Sequence, residues 1–489
     1  MRSSIAWIAL VIPLSAIAQG RNAHWFLGDD IHLEFVPGVP VIVQPPSGLV
    51  TVEGQGVISN PEGDLLFIAG HDSLYNALGQ CMPNGQGPFT MEPFGDVTQG
   101  SLIVPLPGSP ERYVVIHIHG TSYEDWPQAT CSVVDMSLDG GMGDVVPGSR
   151  WTFTDSLTEK LTGTPHANGQ DYWVLMHEWD TDEFQAFQVK SAGLDTVPVR
   201  SQAGSVHVRL FNLPNFKNNF QGQMKFSLAG DAVALTTLNS TSPQPAPCIV
   251  QLFDFDDITG QVSYRMTFQG HHRSYGIEFS GDGSKLYVTG VDSVEHYVDQ
   301  YDLSLDDTTA IQDSRFRVYA FDYVGDPMMD WPGAMVLASD GRIYITHQFS
   351  STSWFGIINS PDLLGSDCDL DWNGLDVSPS EIIHSHCNQM KRYHDSPYTA
   401  GVHQTQQRPR FSLSPNPVQD HCWVEGNGLV GPIGITWRDA SGRVAREEQA
   451  YGNGFGVLLT TGELCDGVYT VELLHNGQRL GVVRAVVQH

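Results

Sequence analysis

The chain has 489 residues, 41% of them hydrophobic, so it is long enough for about two to four domains and can bury a core rather than stay disordered. Lys and Arg number 25 against 55 Asp and Glu, a formal charge of -30. That balance repels phosphate backbones and anionic lipid heads, which excludes nucleic-acid or membrane binding by the folded body.

Only 16% of residues are charged, while 50 are Gly and 29 are Pro, which suits short strands and turns better than helices. At the start, Arg2 precedes an apolar run over residues 5–17 that ends Ala16-Ile17-Ala18. This predicts a signal peptide over residues 1–18, with the mature chain starting at Gln19 and Sec export. The run is shorter than the roughly 20 apolar residues a span needs, and no later run is long enough, so no transmembrane span is expected.

One unit then recurs. A turn with Gly, often beside Asp or Asn, leads into a short apolar strand. The copies are Gly63 before Leu65-Leu66-Phe67-Ile68, Gly108 before Tyr113-Val114-Val115-Ile116, and Gly169 before Tyr172-Trp173-Val174-Leu175. Next come Gly230 before Ala232-Val233-Ala234-Leu235, Gly283 before Leu286-Tyr287-Val288, and Gly341 before Ile343-Tyr344-Ile345. Second strand halves such as Cys131–Asp135, Gln251–Asp256 and Gln300–Leu303 alternate apolar and polar residues, as strands with one dry face do. A period of about 50 residues with about four strands per unit is that of a β-propeller blade. Six blades are countable. A seventh would take His24–Leu27 or Ile31–Phe35 together with chain after Trp372, so the expectation is an all-β, six- or seven-bladed β-propeller over residues 19–405.

The body resembles a group of secreted propellers of Bacteroidota-type bacteria, a group with no single agreed activity. The residues that carry this are Trp25-Phe26-Leu27-Gly28, the run Ser132 to Val145, His166 to Trp173, Phe279 to Val288, and Gly356-Ile357-Ile358-Asn359-Ser360-Pro361. The stretch 366–400 departs from the pattern expected after the last blade in that group.

Residues 406–410, with Arg408-Pro409-Arg410, read as a linker. Five strands are expected beyond it, at Cys422–Val424, Ile433–Trp437, Gly456–Leu459, Val468–Leu474 and Leu480–Val487, which makes a small Ig-like β-sandwich over residues 411–489. Four motifs occur there in order: Pro415-Asn416-Pro417-Val418, Asp439-Ala440-Ser441-Gly442-Arg443-Val444, Gly467-Val468-Tyr469-Thr470-Val471 and Val482 to Val487. They resemble the C-terminal sorting domain (type A) of type IX secretion substrates. The resemblance implies a type IX translocon as partner of residues 411–489, then release or attachment at the outer cell surface.

The sharpest chemical motif is Asp369-Leu370-Asp371-Trp372-Asn373-Gly374-Leu375-Asp376. Asp369, Asp371, Asn373 and Asp376 match the opening of a calcium loop, in which alternate oxygens point inward and Gly permits a sharp turn. The bidentate Glu is displaced, since Ser380 holds the twelfth position. A plain acidic loop is the alternative. His117/His119, His271/His272 and His384/His386 are weaker metal pairs, each without a third ligand at a set spacing. Trp126, Trp151, Trp173, Trp179, Trp331 and Trp354 are candidates for sugar stacking or for blade core. Of seven cysteines, Cys368 and Cys387 are the nearest candidates for a disulfide; free buried thiols are the alternative.

No G-x-S-x-G, P-loop, dinucleotide fingerprint or H-E-x-x-H occurs. The first functional reading is therefore a non-catalytic binding module for a surface glycan or protein ligand. The alternative is a secreted propeller hydrolase acting on glycans, lactones or peptides.

Overall fold

The computed structural model describes residues 20–395 and 412–489. Within those limits it leaves out 28–30, 36–39, 47–48, 50–52, 71–72, 88–96, 120–126, 209–219, 239–247, 292–294, 323–330, 349–352, 383–385, 426–428, 440–442, 454–455, 463 and 476–477. The expected signal peptide (1–18) and linker (406–410) fall outside the described residues. Two compact units divide the chain, Met1–Tyr398 and Thr399–His489.

The first unit is a β-propeller with seven antiparallel sheets among the described residues. Blade 1 has three strands, β1 (His24–Leu27), β2 (Ile31–Phe35) and β3 (Pro40–Val43). Blades 2 to 7 have four or five strands each and span 56–86, 101–154, 157–202, 224–267, 273–322 and 331–376. The inner strands of successive blades stand side by side around the axis. Blade 1 closes on blade 7 through Trp25 and Phe35, whose rings meet Tyr344 edge-on at 5.4 and 5.6 Å.

The six predicted turn glycines all join an inner strand to the second strand of its blade. Gly63, Gly108, Gly169, Gly230, Gly283 and Gly341 have φ of 103, 75, 73, 83, 72 and 82°, the left-handed region that Gly enters without a Cβ clash. These turns therefore gather on one face, and the inner strands start at the other.

The seventh blade is not assembled as the sequence suggested. Both N-terminal strands enter blade 1, but among the described residues the chain after Trp372 adds no strand to it. Leu370–Asp376 is the outer strand of blade 7, paired with Trp354–Ile358. The six-residue helix Thr308–Asp313 hangs between strands of blade 6, capped by the Asp307 side chain on Ala310 N.

The second unit is a two-sheet sandwich. One sheet holds Ser412–Ser414, His421–Glu425 and Gly456–Thr460. The other holds Val444–Asn453, Val430–Asp439, Gly467–His475 and Gln478–Val487. Alternate apolar residues such as Val424, Ile433, Ile435, Trp437, Val457 and Val471 fill the space between them, the period-2 pattern of facing sheets. The five expected strands are present, and Ser412–Ser414 and Val444–Asn453 add two that had no signal above the turns. Among the described residues no helix is long and apolar enough to cross a membrane.

Candidate functional site at the propeller hub

The axis of the propeller is filled by the chain itself. Residues 386–395 run along the inner strands and bond to every blade. Gln389 Nε2 donates to His24 O of blade 1 (3.3 Å) and Val57 O of blade 2 (2.9 Å). Asn388 Nδ2 donates to Ser101 O of blade 3 (3.1 Å) and Leu161 O of blade 4 (2.9 Å). Lys391 Nζ donates to Phe226 O of blade 5 (2.7 Å) and forms an ion pair with Glu278 of blade 6. His386 Nε2 donates to Tyr344 O of blade 7 (3.0 Å). Asn388 also bridges in parallel to Gly56, with its N–H on Gln55 O at 2.7 Å. The inner strands of blades 1 to 5 present carbonyls to this segment, and its amide and amine donors satisfy groups that would otherwise be orphaned.

Glu278 is fully buried, and its second oxygen accepts from Leu337 N at 3.0 Å. Burial pulls the Lys391 ammonium below its usual range, opposed by the Glu278 charge. A buried pair of this kind is costly to break, because one charge is then left without a counterpart.

At the end where the inner strands begin, a second polar cluster joins four blades. The Tyr275 hydroxyl donates to Glu53 Oε1 at 2.5 Å and lies 3.3 Å from Thr98 Oγ1. Thr98 donates through Oγ1 (2.7 Å) and N (2.9 Å) to Glu159 Oε2. Two hydroxyl protons thus serve two carboxylates, one each, and the contact between the hydroxyl oxygens carries none. Burial raises the Tyr275 phenol well above its usual range, and the Glu53 charge adds to this. Glu53 is 4% exposed and Glu159 0%. These bonds tie the segments leading into blades 2 and 3, at Glu53 and Thr98, to blade 4 at Glu159 and blade 6 at Tyr275.

Beside them Lys160 Nζ donates to Phe220 O and Gln221 O at 3.3 and 3.2 Å. Burial brings Lys160 down to about 7. The His177 and His207 rings stack at 3.7 Å, both buried. Burial, and then the nearby Lys160 charge, lowers His177 to about 3, and His207 falls well below the imidazole range.

The predicted site residues lie elsewhere. The Asp369–Asp376 segment is an edge strand rather than a loop: Leu370, Trp372 and Leu375 are half-buried, while Asp371, Asn373 and Asp376 are exposed. A register shift bulges it opposite Phe355 and Ile357. Asp369 precedes the strand in a left-handed conformation (φ 54°). Asp371 Oδ1 accepts from Asn373 N at 3.0 Å, and Asp376 Oδ1 from Ser378 N at 2.9 Å. Among the described residues no group of three His, Cys, Asp or Glu could hold a metal, so calcium at this strand stands as a proposal for test.

Three histidines of the weaker pairs are engaged by neighbouring groups. His117 is buried with Nε2 on Gly70 O at 3.3 Å. His271 is held between the Tyr297 and Tyr301 hydroxyls at 3.0 and 2.7 Å, while His272 is exposed. His386 is in the hub and His384 falls outside the described residues. Trp173 and Trp179 are blade core at 3% and 6% exposed, whereas Trp151 and Trp354 lie at the surface. Trp126 falls outside the described residues, as does the side chain of Trp331.

All seven cysteines are free, which corrects the disulfide expectation. Cys368 packs against Tyr287, Ile345 and Ile358, while Cys387 lies with Trp25, Phe35 and Tyr344. Different clusters hold the two thiols, and burial raises both.

No protein-family model matches the chain, and no curated protein matches it. Solved structures do. A periplasmic gluconolactonase of Pseudomonas aeruginosa is 12% identical over 79% of this chain and 93% of its own, with a TM-score of 0.38. A protein from Lactobacillus plantarum is 12% identical over 81% and 94%, with a TM-score of 0.37. TolB from Acinetobacter baumannii is 10% identical over 68% and 75%, with a TM-score of 0.30. At such identities and scores these likenesses carry no inference about activity, and the propeller assignment rests on the sheets themselves.

Proposed function

We propose that the protein is a secreted or cell-surface binding module, built on a non-catalytic propeller and exported by the type IX route. The observation that carries the binding reading is the filled hub. The axis is occupied by residues 386–395, and the two carboxylates at its upper end are solvent-inaccessible and hydroxyl-bonded. A buried pair without access supports a strut between blades rather than an acid–base pair. The export reading is supported by the signal-peptide pattern at residues 1–18 and by the four ordered motifs between Pro415 and Val487.

The test of the binding reading is incubation of the mature chain with chromogenic glycosides, aryl lactones and peptides. No turnover is expected. Turnover that disappears in Glu53→Gln or Glu159→Gln would establish the alternative, a propeller hydrolase. The test of the export reading is deletion of residues 411–489, which should leave the propeller in the periplasm; normal secretion of that truncation would remove it.

A further inference from the structure

The third strand of blade 1 differs from the third strand of every other blade. In blades 2 to 7 a further strand pairs on its outer side, and its apolar residues are covered apart from Trp354 at the start of the blade 7 strand. Val298 of blade 6 lies across from Tyr319, and Ile358 of blade 7 lies across from Leu370; both are 0% exposed. Among the described residues blade 1 stops at β3, whose sequence Pro40-Val41-Ile42-Val43 is wholly apolar. Val41 is 44% exposed and Ile42 47%. The cross-sheet row Trp25–Leu33–Ile42 begins in the core at 1% and 0% and ends in solvent.

Exposed edges in soluble proteins are normally shielded by charged residues or bulges, because their free N–H and C=O groups template pairing. The outer strands Gln261–Thr267 and Leu370–Asp376 largely obey that rule, exposing Gln261, Ser263, Asp371, Asn373 and Asp376, with Tyr264 the large apolar ring among them. In contrast β3 has the sequence of a covered strand and, among the described residues, no strand covering it.

We propose that β3 is an acceptor edge, and that an extended peptide segment of a partner protein adds to it antiparallel as the fourth strand of blade 1. This rests on the binding reading above and names its partner class. Main-chain hydrogen bonds would supply affinity, and apolar residues on the incoming strand would cover Ile42 on one face and Val41 on the other. The six complete blades define what fits: one antiparallel strand. A second copy of this chain fits poorly. Two bodies of formal charge -30 repel. The same charge favours a segment flanked by Lys or Arg.

The probe is a fluorescein-labelled peptide of residues 261–267, the outer strand of blade 5, flanked by two lysines at each end. Its anisotropy is titrated with the mature chain. Saturable binding is expected, weakened at least about tenfold by Ile42→Asp and by Val41→Asp. Both residues are at the surface, so the thermal melt should not move. Each substitution adds a negative charge that attracts the lysines, so a loss of binding cannot be electrostatic. A peptide with Tyr264→Pro should not bind, since proline removes a ladder donor. Absence of binding, or equal binding by Ile42→Asp, overturns the proposal. A concentration-dependent dimer that Ile42→Asp abolishes also overturns it, in favour of a second copy. None of these results depends on the hydrolysis panel, which tests the binding reading separately.

Discussion

Arg21 and Asp395, 374 positions apart, join the two ends of the propeller by a bidentate ion pair. The Arg21 Nε donates to Oδ1 at 2.9 Å, and Nη2 donates to Oδ2 at 2.5 Å. Its guanidinium lies 5.8 Å from the ring centres of both Tyr113 and Tyr393 and donates to the Tyr113 hydroxyl at 3.2 Å. Arg21 is only 7% exposed, so removing its partner would leave a charge in a poorly solvated place. Asp395→Ala should therefore destabilise the propeller by about 1–3 kcal/mol in a denaturant titration. A change below about 0.5 kcal/mol would make the pair an ordinary surface contact.

Asn388 is the most connected side chain of the hub. Its amide donates to Ser101 O and Leu161 O, and its Oδ1 accepts from Gln99 Nε2 at 3.2 Å. Asn388→Leu keeps the volume but leaves those groups without partners in a buried place. The expected loss is about 2–3 kcal/mol, with one cooperative transition, because blades 2, 3 and 4 share the same residue. Unchanged stability would show that the segment is a passive filler.

The range of each interaction decides how much of this was legible in the sequence. The six turn glycines are local: a tight turn after each inner strand needs a positive φ, and Gly marks it in the sequence. The blade strands Leu65–Ala69 and Lys285–Val291 could be read from those turns. The hub segment carries no comparable mark. His386 to Asp395 has no period of 2 or 3.6, because its partners are carbonyls on six blades and the Glu278 carboxylate on the remaining one. Glu53, Thr98, Glu159 and Tyr275 meet only once the ring is closed. Glu159-Lys160 did leave a trace, a charged pair within Leu157–Pro165, a strand buried at all nine positions. The calcium motif has two readings in sequence, because alternating Asp and Asn is also how an edge strand with one wet face is written.

At that strand, Asp371 and Asp376 already hold backbone donors two residues on. A cation would have to compete with those bonds and draw exposed side chains off the wet face. We expect the thermal melt to be the same with calcium and with chelator, in wild type and in Asp371→Ala. A rise in Tm with millimolar calcium, lost in Asp371→Ala, would establish the calcium site.

The stacked histidines make the propeller acid-sensitive. His177 and His207 are buried and face Lys160, with Glu159 adjacent to it in sequence and Cys248 also near its charge. Burial keeps both imidazoles neutral in the folded state, with His177 at about 3 and His207 well below the usual value. In the unfolded chain each takes up a proton near pH 6.5. Their contribution is therefore complete above about pH 6.5 and is lost progressively as the pH falls toward the folded values. Each histidine costs about 1.4 kcal/mol per pH unit in that window, or about 2 kcal/mol between pH 6.5 and 5. His386, lowered to about 3 by burial and the Lys225 charge, adds to the same slope. Lys160 acts higher: its folded value of about 7 makes stability rise between about pH 7 and 10. Urea titrations at pH 7, 6 and 5 check this. Wild type should lose stability steeply, and His207→Phe, which keeps an aromatic ring in the stack, should lose it less steeply by the share of one proton. Equal slopes in the two proteins would mean that His207 takes up its proton without unfolding.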